Sequence, residues 1–274
     1  MKVSIIIPTH NRALLLNRAV VSVIEQSFKD FECLIIDDHS TDTTRELIEN
    51  WQSKDSRIRY INFNGKRNLQ AVLNYGLFQA NGVYIARLDD DDYWIDKDKL
   101  KKQVSFLDFN DNYLLIGTNA NFVDEFGKIL FSSRITLKDS VIRKKILFDN
   151  PFISSTVVFR KDEAKKLGGF SENIKLSGDY DLWLSLGKLG KFTNLSEHST
   201  YIYFSNTKIK ERRIIRIQDS IKIIKKFKKD YSGYFFALII KSFSFLILYI
   251  MPNSLSMNKF LYKSKIFFFG DKGV

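Results

Sequence analysis

Four consecutive aspartates, Asp89 to Asp92, are the residues of this chain that packing explains least. Carboxylates ionised within a few ångströms of one another raise each other's pKa values unless a cation offsets the charge. A divalent ion would do so, and oxygen-only ligands from one loop favour magnesium or manganese. Such ions bind one or two carboxylates and take their remaining ligands from phosphates and water. The same run also fits a solvated turn whose aspartates cap the next helix, and the tetrad alone does not separate the two readings. A second cluster, Asp37-Asp38-His39-Ser40-Thr41-Asp42, fits either a polar strand-to-helix turn or a carboxylate that accepts the imide N–H of a uracil or thymine ring. A third pair, Asp179 and Asp181, opens a helix, where the dipole favours negative charge; one fits a general base and the other a cap. Lys66 and Arg67, just before another helix, fit either a solvated surface or the neutralisation of a pyrophosphate.

Other chemistries find no support. His10, His39 and His198 lack the spacing of metal ligands, and Cys33, the single cysteine, rules out an intrachain disulfide and a multi-thiolate zinc site. There is no nucleophilic triad, no Walker loop and no Gly-x-Gly-x-x-Gly after a strand. The carboxylates are the chemical resource.

These residues need elements to position them. Val3 to Ile7 and Cys33 to Ile36 are apolar runs of the kind found in strands buried on both faces, and residues 13 to 28 between them have helical spacing. Thr43 and Glu46 have capping-box spacing for a helix through Trp51, Arg57 to Phe63 alternates like a strand, and Asn68 to Ala80 is again helical. Val83 to Leu88 then runs into the aspartates. Strand-helix alternation predicts an α/β fold with a mostly parallel, doubly wound sheet, whose ligands gather beyond the carboxyl ends of the strands. Both early acidic clusters lie at such ends. The stretch from 101 to 204 reads as a less regular, acceptor-facing half: a helix near 97 to 109, strands near 113 to 131 and 153 to 160, and a helix near 179 to 187.

Charge divides the chain at about residue 204. Residues 1 to 204 hold 28 Lys and Arg against 27 Asp and Glu, while residues 205 to 274 hold 15 against 4. A neutral body with a basic tail meets an anionic surface at one end, either lipid or polynucleotide. In that tail Ile217, Ile221 and Ile224 make an apolar stripe flanked by Arg212, Arg213, Arg216, Lys222, Lys225, Lys226 and Lys229, a basic amphipathic helix. Tyr234 to Met251 is an 18-residue apolar run with Lys241 as its only charge, and a second apolar patch lies at Ile266 to Phe269. A central Lys disfavours a full span by roughly 2.5 to 3.5 kcal/mol, so an interfacial helix is expected first. A single span comes second, and a helix packed on the body or on a homodimer partner third. The interleaved apolar residues suit lipid better than nucleic acid. The short apolar run before Pro8 is too brief for a signal-peptide core, which places the catalytic part on the cytoplasmic side.

Val3-Ser-Ile-Ile-Ile-Pro-Thr-His-Asn-Arg12, Ile36-Asp-Asp-His-Ser-Thr-Asp42, Ala86-Arg-Leu-Asp-Asp-Asp-Asp-Tyr-Trp94, and Gly168-Gly-Phe170 leading to Gly178-Asp-Tyr-Asp-Leu-Trp183 occur in an order that resembles inverting family 2 glycosyltransferases. The likeness is strongest to those that build bacterial O-antigen, capsule and lipopolysaccharide glycans. It implies a GT-A (Rossmann-like) fold and a divalent cation, manganese or magnesium, on the diphosphate of a nucleotide-sugar. Asp89-Asp90-Asp91 match the Asp-x-Asp element, with Asp91 as the principal metal ligand and Asp89 as a metal or ribose contact. By the same match Asp38 recognises the base, while Pro8, Thr9, His10, Asn11 and Arg12, with Lys66, Arg67 and Asp90, complete the nucleotide-sugar site. Asp179 matches the catalytic base, with Gly178 in place of the glutamate that usually precedes it.

The implied reaction moves a hexose from a UDP-sugar, inverting an α-linked donor to a β-linked product, onto a hydroxyl of a lipid-linked oligosaccharide or other glycan acceptor. It would take place at an anionic membrane surface, the cytoplasmic face of a bacterial inner membrane, without nucleic acid. Many relatives carry Tyr-Arg-x-His where this chain has Tyr201-Ile-Tyr-Phe-Ser205. That departure removes a diphosphate contact at Tyr203 and Ser205, and a catalytically silent glycan-binding or scaffold subunit is the alternative it leaves.

Overall fold

The computed structural model describes residues 1–204 and 209–250. Its first half alternates as the sequence pattern predicts: β1 (Val3–Thr9), α1 (Ala13–Ile24), β2 (Phe31–Asp37), α2 (Thr44–Lys54), β3 (Ile58–Asn62), α3 (Leu69–Gln79) and β4 (Tyr84–Arg87). These strands pair in parallel in the order β3-β2-β1-β4. Every residue of β1 and β2 is buried because helices cover both sheet faces. Ile5 and Ile7 join a core with Leu16 and Val20 of α1, while Ile6 joins the opposite core with Val72 and Leu77 of α3. The side-chain period of two thus feeds both layers.

The second half brings antiparallel pairing. It contains β5 (Tyr93–Trp94), α4 (Lys99–Phe109), β6 (Tyr113–Val123), β7 (Ile129–Ser132), α5 (Asp139–Lys145), a 3-10 turn (Ser154–Thr156), β8 (Val158–Arg160), α6 (Lys161–Lys166), α7 (Gly178–Gly187) and β9 (Lys191–Tyr203). The sheet runs β3-β2-β1-β4-β8-β6-β9-β5, with β7 also paired to β6. β8 is antiparallel to both β4 and β6, whereas β9 lies parallel to β6.

Three local readings change. The run near 113 to 131 is two antiparallel strands, β6 and β7. The first part of the stretch expected as a strand near 153 to 160 is the 3-10 turn, leaving β8 only three residues. Thr43 makes no side-chain cap; Asp42 Oδ1 accepts from the Thr44 N–H at 3.0 Å instead. β9 itself gives little periodic signal because its buried positions include the polar residues Asn194, Ser199 and Thr200; Asn194 Nδ2 donates to the Thr136 carbonyl at 2.8 Å, and the Ser199 and Thr200 hydroxyls lie 3.2 Å apart.

Two further helices follow, α8 (Ile209–Lys226) and α9 (Tyr234–Ile250). α8 is built into the body. Ile223, Ile224 and Phe227 lie in the same core as Trp183 and Leu186 of α7, so the buried stripe is rotated from the expected Ile217-Ile221-Ile224. Asp219 accepts from the backbone N–H groups of Lys175 (3.4 Å) and Leu176 (2.7 Å), and Lys226 Nζ reaches both oxygens of Asp181 at 2.8 and 2.7 Å. The Tyr231 hydroxyl donates to the Leu184 carbonyl at 2.7 Å. Lys241, the lone charge of the apolar run, sits 3.7 Å from Asp149. Among the described residues no helix is long and apolar enough to cross a membrane, so the single-span expectation finds no helix to carry it there. Ile266 to Phe269 and Ser205 lie outside the described residues.

Asp219 is the fixed point of α8, because its loss leaves two backbone donors without their acceptor. An unsatisfied donor of this kind costs about 1–3 kcal/mol. Asp219→Ala is expected to lower the unfolding free energy by about 2 kcal/mol in urea titrations. An unchanged midpoint would show that apolar packing alone holds the helix.

Candidate active site

β1, β2 and β4 all end at one cavity of about 920 Å³, lined among others by Thr9, Arg12, Asp38, Asp89, Asp91 and Asp179. The parallel register makes this convergence unavoidable: Thr9 stands opposite Asp37, and Ile6 opposite Arg87. At the end of β2 the two aspartates part. Asp37 turns inward, accepting from the Tyr60 hydroxyl at 3.0 Å and the Ser40 N–H at 3.0 Å; partial burial, and then this hydrogen bond, push the half-buried Tyr60 phenol up to about 12. Asp38 lines the cavity, with His39 Nδ1 3.0 Å from Oδ1 and Arg67 Nε 3.9 Å from Oδ2.

The four-aspartate turn alternates in the same way. Asp92 is enclosed, accepting from the Ser155 hydroxyl and, at 2.9 Å, from the Tyr203 N–H. Burial, with Asp91 and Asp89 nearby, holds its carboxyl well above the ordinary range. Asp90 is also buried, accepting from Thr9 Oγ1 at 2.8 Å and Arg12 Nη1 at 2.9 Å; burial outweighs Arg12 and raises it to about 6. Asp89 and Asp91 have side chains 34% and 22% exposed. Arg12 Nη1 donates to Asp91 at 2.7 Å, and Arg87 Nη2 to Asp89 at 2.9 Å. Arg87 also lies 3.6 Å from Asp179. Although full burial opposes it, Asp89 and Asp179 keep the Arg87 guanidinium above its ordinary value.

Asp179 lies at the N-terminus of α7, accepts from the Ser154 hydroxyl, and lines the cavity. Its neighbour two residues on plays a different part: Asp181 is the buried partner of Lys226 and holds α8. Gly178 has a local cause, since a Cβ there would stand 2.4 Å from Gln70 Oε1. Gln70 fills the space a larger residue at 178 would need.

The structure brings Pro8, Thr9, His10, Arg12, Asp38, Asp89, Asp90, Asp91 and Asp179 onto one cavity wall, but not every expected residue. Lys66 is exposed on the turn before α3 and is not part of the lining. Arg67 approaches Asp38, with Nε 3.9 Å from its Oδ2. Asn11 takes a left-handed φ of 53°, which asparagine tolerates, and its Oδ1 accepts from the Thr41 and Asp42 N–H groups at 2.7 and 3.3 Å. It clasps the β2–α2 loop. His10 Nδ1 is buried without a hydrogen-bond partner, a group suited to bond a ligand. Sequence reasoning missed Arg87, Ser154 and Arg134, and it assigned Arg212, Arg213 and Arg216 to the flank of a lipid-facing stripe. All of these line the cavity. The signal for Arg87 was available: a lone arginine in an apolar strand just before four carboxylates.

Asp89 and Asp91 fit a divalent cation, being oxygen donors facing a cavity and crowded by like charge. Among the described residues no three His, Cys, Asp or Glu side chains converge as a ready-made cage, so an ion here would need substrate phosphate oxygens.

The Glycosyl transferase family 2 model matches residues 4–167. A Campylobacter jejuni protein, GalNAc(5)-diNAcBac-PP-undecaprenol beta-1,3-glucosyltransferase, is 35% identical over 248 residues, covering 85% of this chain and 72% of its own length. The crystal structure of S. aureus TarS 1-349 superposes with a TM-score of 0.71 at 19% identity, covering 96% of this chain and 78% of that one. The same protein in complex with UDP-GlcNAc gives 0.66 at 21% identity, covering 89% and 73%. The mannosyltransferase PcManGT from Pyrobaculum calidifontis, in complex with GDP-Man and Mn2+, gives 0.65 at 18% identity, covering 96% and 79%. The mixed sheet with helices on both faces is the GT-A fold of these structures, and the chain belongs to glycosyl transferase family 2 and is a glycosyltransferase.

Proposed function

We propose that this chain transfers a hexose from a UDP-sugar, with inversion, to a hydroxyl of a lipid-linked glycan acceptor in the synthesis of a bacterial surface polysaccharide such as O-antigen or capsule. The observation that carries the proposal is Arg87, which lies 2.9 Å from Asp89 and 3.6 Å from Asp179 in the same cavity. Donor-binding and proton-accepting carboxylates thus share one rigid support. The name of the Campylobacter relative supports a lipid-diphosphate acceptor and a β-linkage, and the TarS complex supports a UDP-sugar donor.

In this reading Asp38 accepts the imide N–H of uracil, and the Pro8–Arg12 segment lies along the nucleotide, with His10 Nδ1 as a further polar contact. Asp91 and Asp89 hold a manganese or magnesium ion, which supplies positive charge to the diphosphate. Arg12, released from Asp91, is available to phosphate oxygens. Asp179, 3.6 Å from Arg87 and in the first turn of α7, takes the proton from the acceptor hydroxyl as that oxygen attacks the anomeric carbon. Ser154 holds the carboxylate in place.

The proposed site of action is the cytoplasmic membrane face. α9 presents Phe235, Phe236, Ile239, Phe243 and Leu246 outward, between 54% and 74% exposed. A monomeric soluble protein rarely shows so continuous an apolar stripe. Lys222, Lys225 and Lys229 stand exposed nearby in the chain and suit anionic headgroups.

Asp179→Asn is expected to lower transfer from a UDP-sugar by about 10²- to 10⁴-fold while leaving UDP affinity unchanged. Retained turnover in a radiolabelled-sugar assay would assign the base elsewhere. In vesicle flotation with anionic lipid, wild type should float and Phe236→Asp/Phe243→Asp should remain in the soluble fraction. Equal flotation of both would remove α9 from the membrane contact.

A further inference from the structure

The wall of the cavity opposite the nucleotide segment is made by α8 and α9, and its composition is unlike the rest. α8 contributes Arg212, Arg213 and Arg216, followed by Ile217 and Ser220; α9 contributes Ile240, Ile247 and Leu248 together with Lys241 and Ser244. Arg212 and Asp91 line the same cavity, which places the start of α8 beside the donor turn. Burial and the neighbouring Arg216 push the Arg213 guanidinium below its ordinary value, as expected of two cations turned towards one space. Beyond them the lining is mainly aliphatic, with Ile217, Ile240, Ile247 and Leu248 interrupted by Ser220, Lys241 and Ser244.

α9 is therefore apolar on two faces. Phe235, Ile239 and Phe243 point to solvent, whereas Ile240, Ile247 and Leu248 line the cavity. A helix that only docks on a protein needs one apolar face. A second, cavity-lining apolar face next to arginines suits a ligand that is anionic at one end and hydrocarbon at the other. A nucleoside diphosphate has the anion but no hydrocarbon, and it has its own proposed contacts at Asp38, Asp89 and Asp91.

We infer that the α8–α9 wall is the acceptor subsite, in which Arg213 and Arg216 bind the diphosphate of a prenyl-diphosphate-linked acceptor and Ile240, Ile247 and Leu248 hold the first part of its hydrocarbon chain. The assignment rests on the transferase reading for the role of Asp179, beside which it places the acceptor. It requires the lipid to enter from the side where α9 meets the bilayer, so that the glycan is directed to Asp179. The guanidinium fork matches diphosphate oxygens bidentately, which a single lysine does not.

The test is calorimetric binding of farnesyl diphosphate to the full chain with UDP and manganese present, with farnesol and inorganic diphosphate as comparisons. Wild type should bind farnesyl diphosphate more tightly than either comparison compound. Arg213→Gln/Arg216→Gln should weaken it about tenfold or more, and Leu248→Asn should also weaken it, while UDP affinity stays the same. The exposed Arg216→Gln alone should weaken it severalfold and serves if the double variant does not fold. Three results would overturn the assignment: unchanged binding in the variants, a parallel loss of UDP affinity, or inorganic diphosphate binding as tightly as farnesyl diphosphate. Binding that follows this pattern without any sugar transfer would uphold the subsite and refute the proposed transfer reaction instead.

Discussion

Four carboxylates in one turn repel one another, and two of them, Asp90 and Asp92, are buried as well. Arg12 and Arg87 make this arrangement possible. Arg12 spans Asp90 and Asp91 from the end of β1, and Arg87, wholly enclosed at the end of β4, spans Asp89 and Asp179. Removing either cation would leave a buried or half-buried carboxylate unpaired, which typically costs 3–5 kcal/mol. The rest of the site follows from this pairing. The parallel register brings the ends of β1 and β4 together, Ser155 in the 3-10 turn bonds both the Asp89 N–H and Asp92, and Asp92 also accepts from the Tyr203 N–H of β9.

The alternation of strands and helices was legible because β1, β2 and β4 are buried on both faces and so read as unbroken apolar runs. Asp38, Asp89, Asp91 and Asp179 were legible as chemistry because they end such runs or open a helix. What spacing could not tell was which aspartate of each cluster faces the cavity. That depends on tertiary partners: Tyr60 draws Asp37 inward, Thr9 draws Asp90, Ser155 draws Asp92, and Lys226 draws Asp181. β9 stayed hidden for a related reason, since three of its four buried positions, Asn194, Ser199 and Thr200, are polar and only Phe192 is apolar. Arg87 was overlooked because a charged residue inside an apolar strand carries no periodic signal.

The C-terminal helices show where composition misleads. A basic, apolar tail reads as a separate membrane element, yet Ile223, Ile224 and Phe227 are core residues and the α8 arginines line the cavity. Lys241 counts against burial in a hydropathy argument, but its partner Asp149 is 92 positions away in the chain and is supplied only by the fold. α8 and α9 thereby connect the cavity at the strand ends to the exposed apolar stripe of α9.

The central claim is that Asp91, in the turn organised by Arg12 and Arg87, forms a metal-dependent site for a uridine diphosphate. Calorimetric titration of UDP with and without manganese, on wild type and on Asp91→Ala, tests it most directly. Binding that requires manganese in wild type and disappears in Asp91→Ala is the predicted result. Equal UDP binding with and without the ion, unaltered by the substitution, would contradict it.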